Sequence, residues 1–193
     1  MILAGLDFET ANPCNGSICA VGATLLQDGQ GIAEREWLVR PHPTRSRFFP
    51  GFTSIHGIYP EDVREAPEFW EIWPSLAELL VSADCVIIHN ASFDLRHLRA
   101  VLELYAAPPV SFSYACSLQI SRRCFPQLRS HSLNRVAAHV GHHVFRHHNA
   151  LEDAVACAKI VACTGLPSDC LRQFVYAGAS RGGGKSLKNC LGC

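Results

Sequence analysis

Four acidic side chains stand where an apolar pattern leaves little room for charge. Asp7 and Glu9 interrupt an apolar run over residues 2–10. In an extended strand they leave the same face, about 6.6 Å apart along the backbone, while Leu6 and Phe8 take the other. On a helix starting near Ser92, Asp94 projects with Leu98 and Val101, away from the polar side that carries Arg96, Arg99 and Glu103. On a helix starting at Asn149, Glu152 shares the wet side with Lys159, whereas Asp153 falls among Ala150, Cys157 and Ile160. A buried carboxylate without a partner is costly or gives up its charge. No lysine precedes Lys159, so neutralisation falls to arginine or to a divalent cation. Mg²⁺ and Mn²⁺ take oxygen ligands and keep waters for a substrate. Two such ions about 3.5 to 4 Å apart stabilise both the attacking and the leaving oxygen of phosphodiester cleavage. That chemistry also needs a base, and a neutral imidazole suits it near neutral pH. Five residues of continuous helix would turn His148 and Asp153 about 140° apart, so His148 belongs in the preceding loop, free to lean toward the acids. His147 competes for the same role.

The elements that position these groups follow from periodicity and turn residues. Strands are expected over residues 2–8, 18–26 and 33–39, with Asp28 and Gly29 turning between the last two. Residues 40–59, dense in proline and glycine, read as a long irregular connection. A helix over 69–81 has Pro74 against it. A strand over 85–89 and a helix over 92–104 make a crossover, and 110–114 reads as a last strand. Helices follow over 133–140, closed by Gly141, and over 149–164, with a short one near 170–177. The pattern predicts an α/β domain, a mixed sheet with helices on its faces, over residues 1–177. From Gly178 onward, Arg181, Lys185, Lys188 and three consecutive glycines predict a flexible basic tail, 178–193.

Composition bounds the partners. The chain has 193 residues, 48% hydrophobic and 18% charged, which excludes disordered and collagen-like classes. Its 17 basic and 17 acidic residues cancel, so attraction for phosphate must be local. Residues 61–94 hold eight carboxylates against Arg64, and residues 95–151 hold seven arginines against Glu103. Guanidinium forks suit phosphate. Met1 to Phe8 lacks the features of a secretory leader, and no apolar run reaches about 18 residues. The expectation is a cytoplasmic protein with reduced thiols and no membrane contact. Cys190 and Cys193 form half of a four-cysteine zinc site at most.

Asp7-Phe8-Glu9-Thr10, Asn90-Ala91-Ser92-Phe93-Asp94 and His148-Asn149-Ala150-Leu151-Glu152-Asp153 occur in this order, and with them the chain resembles the DEDDh 3′–5′ exonucleases. It is most similar to stand-alone relatives of the proofreading epsilon subunit of bacterial DNA polymerase III. Ile55-His56-Gly57-Ile58 and Pro60-Glu61-Asp62-Val63 extend the likeness, which runs from Ile2 to about Cys163. The resemblance implies a ribonuclease H-like fold with five strands, the central one bearing Asp7 and Glu9. It implies an enzyme that releases nucleoside 5′-monophosphates from the 3′ end of single-stranded or frayed DNA, or of RNA. Asp7, Glu9, Asp94 and Asp153 would hold two Mg²⁺ or Mn²⁺ ions and His148 would be the general base. Thr10 resembles the residue that meets the terminal nucleotide, His56 a contact to its sugar or base, and Asn90 and Phe93 supporting positions. Ala11-Asn12-Pro13 replaces the Thr-Gly that many members carry after the first motif, a departure beside the terminal-nucleotide pocket. Arg122, Arg123 or Arg129 are candidates to guide the upstream backbone, and a polymerase or repair complex is a candidate partner in trans. Two other classes stay open: a catalytically silent nucleic-acid-binding or scaffold domain, and a Zn or Fe hydrolase built on His142, His143, His147 and His148.

Overall fold

The computed structural model describes residues 1–178. The chain begins as an antiparallel meander of β1 (Ile2–Thr10), β2 (Ile18–Gln27) and β3 (Gln30–Leu38). Asp28 and Gly29 both take positive φ at its tight turn, 50° and 82°, as a hairpin of matching twist requires. The long connection that follows contains α1 (Pro50–His56). Then α2 (Phe69–Ser82) leads to β4 (Cys85–Ile88), and α3 (Ala91–Leu104) to β5 (Val110–Cys116). Three helices, α4 (Ser117–Cys124), α5 (Leu133–His139) and α6 (Ala150–Thr164), precede β6 (Arg172–Tyr176). The described residues form one mixed sheet in the order β3-β2-β1-β4-β5-β6, with β1, β4 and β5 parallel.

Helices cover both faces. Leu6 and Phe8 of β1 pack with Phe69, Leu76 and Leu80 of α2 and Leu98 and Leu102 of α3. On the opposite face Leu3 and Ile87 pack with Val136 of α5 and Ile160 and Val161 of α6. From β1 the chain turns to β2 on one side and later returns through β4 on the other. The carboxyl ends of these two parallel strands therefore flank a switch point, where open α/β sheets form their ligand crevices.

Glycine sets how closely α6 approaches. A Cβ on Gly5 would lie 2.0 Å from the Ala154 carbonyl oxygen, and one on Gly22 would lie 2.0 Å from that of Ala150. Gly5 stands two residues from Asp7 in β1, and Gly22 pairs with Asp7 across the ladder. The first turns of α6, which carry Asp153, are thus seated directly on the strands that carry the first two acids.

Three elements differ from the sequence pattern. The sheet has six strands rather than five, because residues 172–176 form β6 where a short helix is expected. Phe174 and Tyr176 are buried while Gln173 and Val175 are exposed, a period of two that so short a run does not separate from a helical turn. Within the supposedly irregular connection, Pro50 opens α1 at a position where its missing N–H is harmless, and Gly57 closes it at φ 74°. In α4 the large apolar residue that is fully buried is Ile120, with Ser117 and Ser121 beside it, so its period is faint. Pro74 lies inside α2 on its exposed side, and a reciprocal Glu68–Glu71 capping box starts that helix. Cys19, Cys85 and Cys157 are buried free thiols. No helix among the described residues is long and apolar enough to cross a membrane. The expected basic tail, from residue 179 onward, and its Cys190 and Cys193 lie outside the described residues.

Candidate active site

Asp7 and Glu9 leave the α6-facing side of β1, Asp7 half-buried and Glu9 buried. Asp94 arrives from the first turn of α3. The chain enters that helix through Asn90 in the left-handed conformation, φ 63° and ψ 48°, which asparagine tolerates better than most residues. Asp94 is 2% exposed and accepts a hydrogen bond from the Phe8 N–H at 3.2 Å. Asp153 comes from the start of α6, where the Asn149 side chain caps the Glu152 N–H. Its Oδ2 accepts the His148 N–H at 3.0 Å, and both its oxygens lie 3.0 Å from His147 Nδ1. His148 takes φ 69° in the turn before the helix, and its ring stacks on that of His147, centroids 3.9 Å apart.

One oxygen from each of Asp7, Glu9 and Asp153 lies within 4.8 Å of the others. Crowding and burial make their charges expensive. The Asp7 carboxyl is held far above the usual range, first by burial, then by Asp94, Asp153 and Glu9. Glu9 is pushed up to about 8 by burial, then Asp153 and Asp94. Asp94 is also pushed up to about 8, burial outweighing the backbone N–H groups that favour its ionised form. Asp7, Glu9 and Asp94 have no ion-pair partner among the described residues; Asp153 pairs with His147. An oxygen-only donor set with this much unbalanced negative charge fits Mg²⁺ or Mn²⁺, hard cations that restore the ionised form of each ligand. His147, His148 and Asp153 make a second close group, but it shares Asp153 and is not an independent site.

The histidines divide by their partners. His148 is exposed, and burial and the neighbouring His147 lower its pKa, leaving it neutral near pH 7 and able to take a proton. His56 is also lowered, chiefly by burial. Its Nδ1 accepts the Ile58 N–H at 3.0 Å, so Nε2 carries the proton and donates to the Thr10 carbonyl at 3.2 Å. Both ring nitrogens are spent on backbone, which leaves the ring face for a ligand.

All nine residues singled out in the sequence, Asp7, Glu9, Thr10, His56, Asn90, Phe93, Asp94, His148 and Asp153, line a single cleft of about 740 Å³. The far wall was not legible in sequence. His89 accepts from the Ser117 hydroxyl through Nδ1 (2.9 Å) and donates from Nε2 to the His131 carbonyl (3.0 Å). Burial pushes it down to about 4, so it remains neutral and pins the 130–133 loop to the end of β4. Its position next to Asn90 is the signal that could have marked it; Ser130, Ser132 and Leu133 carry none. Among the three candidate guiding arginines, Arg122 lines the cleft. Arg123 instead pairs with Asp169 at 2.6 Å, and Arg129 is not in the cleft wall.

Comparison with known proteins decides the family. Residues 5–161 match the exonuclease family that includes RNase T. The chain belongs to that exonuclease family. Its acid set and His148 follow the pattern of the DEDDh 3′–5′ exonucleases it resembles, a class that generally depends on divalent metal ions. The chain is 32% identical over 157 residues to the PolC-type DNA polymerase III of Thermotoga petrophila and 27% identical over 157 residues to that of Clostridium perfringens. Each alignment covers 80% of this chain and 11% or 10% of the relative, so the chain spans about a tenth of the curated relatives it matches. Two solved structures share its fold. Exonuclease X in complex with 5′-overhanging duplex DNA superposes with a TM-score of 0.67 at 24% identity, covering 87% of this chain and 96% of that one. The nuclease domain of 3′hExo bound to rAMP gives 0.67 at 19% identity, covering 83% and 90%.

Proposed function

We propose that this exonuclease removes nucleotides singly from the 3′ end of single-stranded or frayed DNA, or of RNA, and releases nucleoside 5′-monophosphates. Asp7, Glu9, Asp94 and Asp153 are assigned to two Mg²⁺ or Mn²⁺ ions. The observation that carries the reading is the meeting of four crowded carboxylates, three of them without an ion-pair partner among the described residues, with a neutral, exposed imidazole in one open cleft. Bound divalent ions would supply the positive charge that lets Asp7, Glu9 and Asp94 ionise, and the Lewis acidity that phosphodiester hydrolysis requires.

The chain's own groups supply the rest. His148 accepts the proton of the attacking water, and the nearby Asp153 carboxylate favours the imidazolium that results. The stack on His147 and the His148 N–H bond to Asp153 hold the base at the cleft mouth. Thr10, Phe93 and the face of His56 bound the space for the last nucleotide, and Arg122 is placed to meet a phosphate. His56 also ties the α1 connection to the end of β1 through the Thr10 carbonyl. Residues 1–177 are proposed as the catalytic unit, acting in the cytoplasm, with any polymerase or repair partner binding in trans.

Matched 5′-labelled single- and double-stranded DNA and RNA, incubated with Mg²⁺ and then Mn²⁺, test the proposal. The expected product is a ladder that shortens from the 3′ end, with mononucleotides released. Binding without turnover in either metal would favour a silent binding domain, and cleavage confined to RNA would make the protein a 3′-trimming exoribonuclease.

A further inference from the structure

The active-site cleft does not end at Arg122. A second cavity shares Asn90, Leu118 and Arg122 with it and adds Arg172. A third cavity shares Ser92 and Tyr114 with the second and adds Arg96 and Arg99. The three form a continuous path from the catalytic acids, over the start of α3 and the β5–β6 edge of the sheet. All four arginines along it are exposed, and none lies within ion-pair distance of a carboxylate among the described residues.

Neutral groups fix three of the guanidinium heads. Arg96 donates to the Asn15 side-chain oxygen at 3.0 Å and sits 5.7 Å from the Phe93 ring centre. Arg99 donates to the Val175 carbonyl at 2.9 Å and sits 5.0 Å from the Phe174 ring centre. Arg172 donates to the Asp169 and Leu171 carbonyls at 2.7 and 2.8 Å. Orientation is thus provided without an ion pair to any of these guanidinium groups among the described residues. The nearby acids are Glu103, which lines the third cavity, and Asp169, already bonded to Arg123. Pre-oriented forks beside an aromatic ring match a phosphodiester backbone.

We infer that Arg122, Arg172, Arg96 and Arg99 form a track for the backbone of the strand upstream of the 3′ end. The track rests on the exonuclease reading, and it names the protein's means of holding a polymer rather than a terminal nucleotide alone. Counterion release makes it measurable. For single strands, each phosphate contact adds about 0.7 to the slope of log affinity against log salt.

The test uses a 5′-fluorescent oligothymidylate of about 20 nucleotides, longer than the about 4 to 16 that a small single-strand site covers, titrated in EDTA over a salt series. Arg96→Gln and Arg172→Gln are each expected to weaken binding several-fold and to lower the slope by about 0.7. Arg96→Lys retains charge and should recover most of the slope, which a merely structural role for Arg96 would not predict. Arg35→Gln, on the opposite sheet edge, is the control and leaves the slope unchanged. Slopes within error of wild type for both Gln variants, with unaltered thermal melting, would overturn the track while leaving the exonuclease reading intact. A wild-type protein that neither binds this oligonucleotide or an oligouridylate of the same length nor shortens either with Mn²⁺ would overturn both.

Discussion

Glu9, Asp7 and Asp94 are held in a state they would abandon in water. Their folded pKa values are raised above the ordinary carboxylate range, mainly by burial. In metal-free buffer the folded state therefore binds more protons than the unfolded chain at intermediate pH. A raised pKa contributes stability that is complete below the unfolded value and disappears as pH rises through the folded one. For Glu9 that window runs from the ordinary 4.5 to about 8. Comparing chemical denaturation of the wild type and Glu9→Gln in EDTA isolates the effect. The wild-type advantage should decline steadily across the window, and Glu9→Gln should become the more stable at its upper end. Loss of the Glu9 charge also relieves Asp7, which acts in the same direction. His148 belongs to the chemistry rather than to this balance. His148→Gln should lower kcat by about 10²- to 10⁴-fold while leaving Mn²⁺ binding in place. Asp153→Asn should abolish turnover and weaken metal binding as well, and Mn²⁺ calorimetry separates the two variants.

At the level of elements, the site depends on how α6 lies against β1 and β2. Gly22→Ala would drive a methyl into the Ala150 backbone, lifting the helix that carries Asp153. A loss of about 1 to 3 kcal/mol is expected from overpacking, together with a fall in kcat, although Gly22 touches no substrate. Gly51→Ala in α1 meets nothing within 4 Å and should leave kcat unchanged. Melting curves and single-turnover rates distinguish these outcomes. The acids were legible in sequence because each violates the periodicity of its own segment, and His148 because it stands in the loop just ahead of the helix that carries Asp153. The central strands and long helices were legible from their apolar runs. Gly5 and Gly22 were not, since a glycine in a strand gives no sign of what passes above it. The wall built from His89, Ser117 and the 130–133 loop was hidden for a related reason: it is assembled by hydrogen bonds between segments far apart in the chain. The edge strand β6 was mistaken for a helix because its two buried aromatics, Phe174 and Tyr176, are too few to establish a period.

For the molecule as a whole, metal, fold and substrate are coupled through one end of the sheet. Ions that bind the folded acids but not the unfolded chain stabilise by mass action, about 2.7 kcal/mol at a hundred times the Kd. Mn²⁺ should therefore raise the melting temperature of the wild type, EDTA should reverse the rise, and Asp153→Asn should blunt it. The zero net charge hides an arginine-bearing face beside an acidic cleft, so affinity for a polymer should fall with salt even though no global field favours it. The central claim is that Asp7, Glu9, Asp94 and Asp153 gather divalent ions next to His148. It is tested most directly by the anomalous scattering of Mn²⁺ soaked into crystals of the wild-type protein. Peaks enclosed by these four carboxylates are expected. Peaks on His142 and His143 instead, or acids left without metal at saturating Mn²⁺, would contradict the account.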